Sequence, residues 1–409
     1  MAPRVKESVT ALLVRRIGDN SGRILAPLRR HKPIISFGGR YGLVTRADDV
    51  REVLGDHEHF TVSHYEPKME EITGPFILGL DDTPLYRRDD AALKAVIRRD
   101  DLERIAGATL AAGRERMAAA HGHLDVVAEF ADPAIDQVIT GYFGTPGPDT
   151  ATQVRWARNL FEHIFLNVSD KPRVRARALD DAGQMRPHID AQIAARRAAM
   201  EAGEELPDDV LTRLLQHSPD DGGLHDIAIR HNLIGLIAGW IPTVSKAFAV
   251  AVEELLDRPE ELERAQQAAR DGDRELVGAY VFEALRFRPQ TWALLRICGK
   301  DRKVAAGTER ETLMREGAKV LVATQSAMFD ERAVSAPNEF RVDRPWDDYV
   351  HFGSGLHTCF GLQINRVHIP ALAMALLEGP RITRAAGEAG KLQFDGPYPS
   401  GLGVSLWPS

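Results

Sequence analysis

Cysteine is nearly missing from this chain: 409 residues contain two, Cys298 and Cys359. Two cysteines do not make a disulfide framework, so a reducing, cytoplasmic setting is expected. A positive excess is missing too. The formal net charge is -7, which argues against nucleic acid as the main partner. No run approaches ~18 consecutive apolar residues, so no transmembrane anchor is expected. Residues 1–30 mix arginines with short apolar runs and lack a signal-peptide core followed by a small-residue cleavage site. Internal repeats, low-complexity runs and Gly/Ser linkers are also lacking. What remains is an ordinary globular composition, 44% hydrophobic and 27% charged. Length alone suggests two or three domains.

Ile34-Ile35-Ser36-Phe37 and Tyr41-Gly42-Leu43-Val44-Thr45 flank Gly38-Gly39 and predict a β-hairpin. A short helix is expected over 47–54, and a long functional loop over 57–82, where periodicity fails and turn residues crowd. Residues 84–270 are mostly helical in pattern, with the longest apolar helix over 226–256. Strand-like stretches follow in 296–323, a helix over 362–377 ends at Gly379-Pro380, and the tail from 382 to 407 reads as short strands. The class predicted is mainly α with small β-sheets.

The most specific stretch is 349–361, Tyr-Val-His-Phe-Gly-Ser-Gly-Leu-His-Thr-Cys-Phe-Gly. Gly353 and Gly355 permit the backbone angles of a tight turn. Cys359 falls near the start of an apolar helix, where the dipole and free N–H groups favour a thiolate. Phe352 can pack beside the sulfur, His357 is a polar donor, and Gly361 lets a planar group approach the backbone. A thiolate on haem iron favours O–O cleavage. Cys298 reads as a buried core thiol.

The stretch resembles the haem-binding signature of the cytochrome P450 family, Phe-Gly-x-Gly-x-His-x-Cys-x-Gly, at every named position. The resemblance covers nearly the whole chain and implies a single haem-thiolate domain, 1–409, of the soluble bacterial type. It implies haem b, with Cys359 as the iron ligand and His357 and Arg296 on the propionates. It also makes Glu283 and Arg286, three apart on one helix face, a structural pair that locks onto Arg344 in the 337–344 segment. The family's His-x-x-x-Arg clamp falls on Tyr86 and Asp90 here, so Arg87 or Arg88 is expected to substitute.

One departure bears on chemistry. The apolar helix reads Ala238-Gly239-Trp240-Ile241-Pro242-Thr243, where the family has Ala/Gly-Gly-x-Asp/Glu-Thr. Counted from Ala238, the acid position is Ile241 and the alcohol position is Pro242. Neither carries protons, and Pro242 should kink the helix; Thr243 could partly take over the relay, but one residue further round it would point away from the iron unless that kink re-aims it. Two readings follow: a monooxygenase that recruits other protons, or an enzyme that uses peroxide or a hydroperoxide. A haem sensor is a third. The resemblance places an apolar pocket among Phe60, Tyr65, Phe76, Leu78, Phe165, Trp240, Trp292, Leu295 and Tyr398. It also implies a ferredoxin or flavodoxin as electron donor, with Arg87, Arg88, Arg98, Arg99 and Arg366 as candidate contacts.

Overall fold

The computed structural model describes residue 18 and residues 20–217 and 222–407. It is mainly helical with small sheets, as expected. The chain packs as two compact units, Met1–Val62 with Lys246–Ser409, and Ser63–Ser245.

The first unit holds a five-stranded sheet in the order Ile34–Phe37, Tyr41–Val44, Lys319–Val322, Leu294–Cys298, Phe60–Thr61. The predicted hairpin is there. Three residues, 38–40, link the paired Phe37 and Tyr41; the Arg40 N–H donates to the Phe37 carbonyl (3.1 Å), and the two central residues of that turn, Gly38 (φ 58°) and Gly39 (φ 71°), both take the left-handed angles it needs. Strand alternation sends Ile34, Val44, Val320, Val322, Arg296 and Cys298 to the buried face. There they meet Val50, Val53 and Leu54 of the helix Ala47–Gly55, with Phe287 and Phe329. Each such aliphatic side chain contributes up to ~1.5–3 kcal/mol when fully buried. The helices Arg274–Phe287 and Leu362–Leu377 pack against each other in the same unit.

The second unit is helical, with Pro84–Val96, Leu102–Ala119, Asp132–Phe143, Thr150–Phe161, Pro172–Glu201 and Val210–Gln216. Side-chain caps start several of them. Thr83 accepts from the N–H of Tyr86, Asp149 from Thr152 and Asp209 from Thr212, each worth ~1 kcal/mol. The buried Arg213 guanidinium donates to the buried Asp101 (2.5 Å) and to the exposed Asp208 (2.6 Å), and Tyr142 donates to Asp101 (3.0 Å). The stretch expected as a loop is more ordered than its sequence suggests. It contains the helix Glu66–Ile72, with proline in its first turn and Met69 and Ile72 buried, and the short turn Ile77–Gly79. Tertiary burial of those two side chains outweighs a poor local pattern.

The long helix Asp226–Leu256 is apolar enough to cross a bilayer by composition, but 78% of its most apolar window is buried. It continues through Pro242 as one element.

Candidate functional site

In the first unit, Cys359 begins where a turn becomes the helix Leu362–Leu377. The N–H of Cys359 donates to the Phe352 carbonyl (2.9 Å), and the N–H of Thr358 to Gly355 (3.1 Å). Gly353 and Gly355 have φ of 71° and 77°. Any Cβ on Gly355 would lie 2.4 Å from the Leu54 carbonyl oxygen, so that position must be glycine. Cys359 is half-buried. Burial pushes its thiol up, and the Gly361 N–H pulls the other way. The balance differs from the expectation of a helix terminus favouring the thiolate, because desolvation outweighs one N–H. A bound cation reverses that balance and deprotonates the sulfur outright.

These residues suit a haem. Among the described residues no three His, Cys, Asp or Glu side chains gather as a metal site. A metal at Cys359 would therefore take one ligand from the protein and the others from its own macrocycle. Gly361 leaves the neighbourhood of the sulfur clear, since a Cβ there would sit 3.8 Å from Sγ. Arg296 lies on the buried face of the sheet, 4% exposed, where its guanidinium suits a propionate. His357 is half-buried.

Behind this turn, Glu283 and Arg286 are both fully buried and paired at 2.8 Å. Arg344 joins Glu283 at 3.1 Å. The cluster reaches further than the sequence pattern indicated. Arg286 donates to the carbonyls of Pro337 (2.7 Å) and Glu339 (3.0 Å), and Arg344 to Ser335 (2.6 Å) and Ala336 (2.9 Å). The Tyr349 hydroxyl donates to Glu283 (3.1 Å) and His351 to the Phe282 carbonyl (3.0 Å). Tyr349 and His351 stack at 5.1 Å, and Trp346 stacks on Phe352 at 6.2 Å. Burial alone would raise the Glu283 carboxyl, but Arg286, the Arg341 N–H and Arg344 hold it below the usual range. Arg366 lies over the Trp346 ring at 4.4 Å.

Strand alternation corrects one pocket residue. Leu294 shares its face with Arg296 and comes within 3.5 Å of where a Gly353 side chain would begin. Leu295 points to the opposite face. Trp292 packs against Gly18, and Tyr398 is buried.

The second unit corrects two more. Arg87 is committed to Asp82 by two hydrogen bonds of 2.7 Å and is 70% exposed. Arg88 is paired with Asp89 at 2.7 Å. Neither guanidinium is spare for a propionate, because each has a carboxylate in its own helix or just before it. Tyr86 is buried, and its phenol is pushed up to about 12 by burial and then by Asp90 and Asp82.

Along the long helix, residues Leu236 to Ala238 and Trp240 to Pro242 are all buried, while Gly239 and Thr243 are half-buried. Four apart, these two share one flank. The Thr243 hydroxyl is held by the carbonyls of Gly239 (2.5 Å) and Trp240 (3.1 Å). The open flank therefore carries Thr243, and Ile241 and Pro242 are turned into the packing. Counted from Gly239 instead of Ala238, the alcohol position is Thr243 and the acid position is Pro242. The segment 74–78 lies along the same helix. A Cβ on Gly74 would strike the His231 ring (2.3 Å), and one on Gly235 the Phe76 ring (2.4 Å). One on Gly239 would rest on Leu78 (3.7 Å). Phe76 and Leu78 are thus seated on successive turns. Trp240 packs edge-on against Phe143 (5.1 Å), and Phe165 against Tyr65 (4.8 Å) and Phe161 (4.6 Å).

The chain matches the cytochrome P450 family over residues 157–379. It is 27% identical to nocardicin C N-oxygenase of Nocardia uniformis subsp. tsuyamanensis over 367 residues, 86% of each protein. It is also 27% identical to mycinamicin IV hydroxylase/epoxidase of Micromonospora griseorubida over 360 residues, 86% of this chain and 84% of that one. The crystal structure of CalO2 superposes with a TM-score of 0.81 at 24% identity, covering 99% of this chain and all of the other. The chain belongs to the cytochrome P450 family, and is a haem-thiolate oxidoreductase of the monooxygenase type.

Proposed function

We propose that this protein uses dioxygen and electrons from a ferredoxin or flavodoxin to oxidise a small apolar organic molecule. The whole chain serves one haem b. Bound through the Cys359 sulfur, that haem supplies dioxygen activation and oxygen-atom transfer. The chain's own residues do the remaining work. Arg296 and His357 hold the propionates. Glu283, Arg286 and Arg344 brace the cysteine turn. Phe76 and Leu78 give an apolar wall beside Gly239, and Arg366 with Trp346 offers a cationic contact to the electron donor.

The observation that carries the reading is the Thr243 hydroxyl on the open flank of its helix. A hydroxyl there can hold and pass a proton, help of a kind typically worth ~10²–10⁴-fold. Thr243→Ala should lower product formed per electron at least tenfold and release the balance as peroxide. Unchanged coupling in that variant would overturn the dioxygen reading.

A second reading, peroxide or hydroperoxide as oxidant, draws on Pro242 at the acid position, where no side-chain proton donor stands. The two readings separate in one experiment. Product is measured with dioxygen plus a surrogate donor, and again with peroxide alone, in the wild type and in Pro242→Glu. The dioxygen reading requires turnover in the first arm and tighter coupling in the variant. Turnover confined to the peroxide arm selects the second.

A further inference from the structure

One backbone N–H, that of Gly361, bonds the Cys359 sulfur. A second donor stands in the next turn of chain. Asn365 follows Gly361 by four residues, and its own backbone N–H donates to the Gly361 carbonyl (2.8 Å). Helical side chains lean back toward the N-terminus, over the turn before them. The Asn365 amide therefore lies over the end of the cysteine turn. Its Nδ2 is 3.3 Å from where a Cβ on Gly361 would begin, and the same point is 3.8 Å from Cys359 Sγ. A side chain at 361 would press on both, so glycine there keeps the way between them open.

Packing alone does not account for this amide. Asparagine is a weak helix former beside alanine or leucine. Asn365 Oδ1 is also buried, with no hydrogen-bond partner among the described residues. An orphaned carbonyl destabilises a fold, and an apolar side chain would avoid both losses. The orientation is informative. The carbonyl is the end left unpaired, while the N–H end lies against the Cys359 turn. Gln363, two residues earlier, is exposed.

We propose that Asn365 positions and tunes the iron's sulfur ligand, its side-chain N–H donating to the Cys359 thiolate beside the Gly361 N–H. A neutral thiol is a weak acceptor and a charged sulfur a strong one, so the bond belongs to the haem-loaded protein. Hydrogen bonds to a ligating sulfur set the potential of its metal. Each N–H draws electron density from the sulfur and so favours the reduced iron, which carries one more electron. The inference rests on Cys359 as the ligand and is independent of oxidant and substrate.

The test uses full-length, haem-loaded protein, with Asn365→Leu removing the N–H at similar volume. The reduced carbon monoxide complex should keep its red-shifted Soret band. The equilibrium constant for one-electron reduction should fall about tenfold, a shift of ~59 mV to lower potential. The C–O stretch should move to lower wavenumber, because a sulfur relieved of that N–H pushes more density through the iron. Gln363→Leu, the same kind of loss on the exposed side of the helix, should move neither. Should Asn365→Leu load no haem, Asn365→Ala removes the amide without adding bulk and should show the same two shifts. A merely structural Asn365 would alter melting or haem retention and leave potential and stretch unmoved, which would overturn the proposal. Equal shifts in Gln363→Leu would assign them to general polarity and overturn it too. A wild type without the red-shifted band would overturn the ligand assignment itself, and the inference with it.

Discussion

Two thiols in one chain have opposite prospects. Cys298 is fully buried on the inner face of the sheet, its Sγ donates to the Lys300 carbonyl (2.9 Å), and burial pushes its thiol up. Burial pushes the Cys359 thiol up as well, so access separates the two: Cys298 is closed off and inert, and Cys359 is half-buried at its turn. Cys359→Ser should therefore abolish the red-shifted Soret band of the reduced carbon monoxide complex, and Cys298→Ser should preserve it. The reverse outcome would reassign the iron ligand. The cysteine turn was legible in sequence because its chemistry is local: six fixed residues within ten positions define one backbone path. Thr243 was legible as the hydroxyl beside the altered pair, but the direction it faces was not. A linear pattern starting at Ala238 put the alcohol on Pro242, and only burial around the helix shows which flank is open. Leu294 was missed for a related reason, since strand alternation fixes which of two adjacent leucines faces inward with Arg296.

At the scale of elements, the Glu283 cluster joins a helix to the segment ahead of the cysteine turn through one carboxylate and two guanidiniums, all buried. Removing one member leaves a buried charge without its partner, a loss of ~3–5 kcal/mol. Glu283→Ala and Arg286→Ala should each unfold at distinctly lower denaturant and retain little haem. Wild-type midpoints in both would remove the structural role. The pairing was readable from the i, i+3 spacing, but the backbone carbonyls that Arg286 and Arg344 collect were not, because a loop's path is not encoded in any one motif. His351 adds a pH dependence. Burial pushes its imidazole down to about 4, against ~6.5 in an unfolded chain. Between those values the unfolded state takes up the proton and the folded state does not. Stability is thus fully present above about 6.5 and falls as pH drops toward 4, by on the order of 2–3 kcal/mol. His351→Phe should flatten the difference between melts at pH 7 and pH 5. An unchanged difference would show that other groups set it.

For the whole molecule, haem binds the folded chain, so occupancy raises stability by mass action, ~4 kcal/mol when haem stands at a thousand times its dissociation constant. Stripping the haem should lower the melting temperature and speed amide exchange over residues 349–362. Val320 and Val322, fully buried in the sheet, should stay protected. Uniform exchange changes across the chain would contradict a site built on an independently stable core. The seating of Phe76 on Gly235 has a consequence for variation. The Phe76 ring fills the space that any side chain at position 235 would occupy, and that ring is itself buried. Gly235→Ala alone should be poorly tolerated, because its Cβ would meet the Phe76 Cγ at 2.4 Å, and Phe76→Ala, which removes that atom, should rescue it, a coupling a double-mutant cycle would measure. Positions 76 and 235 therefore drift only as a pair, and this wall of the enzyme changes volume in steps rather than by degrees.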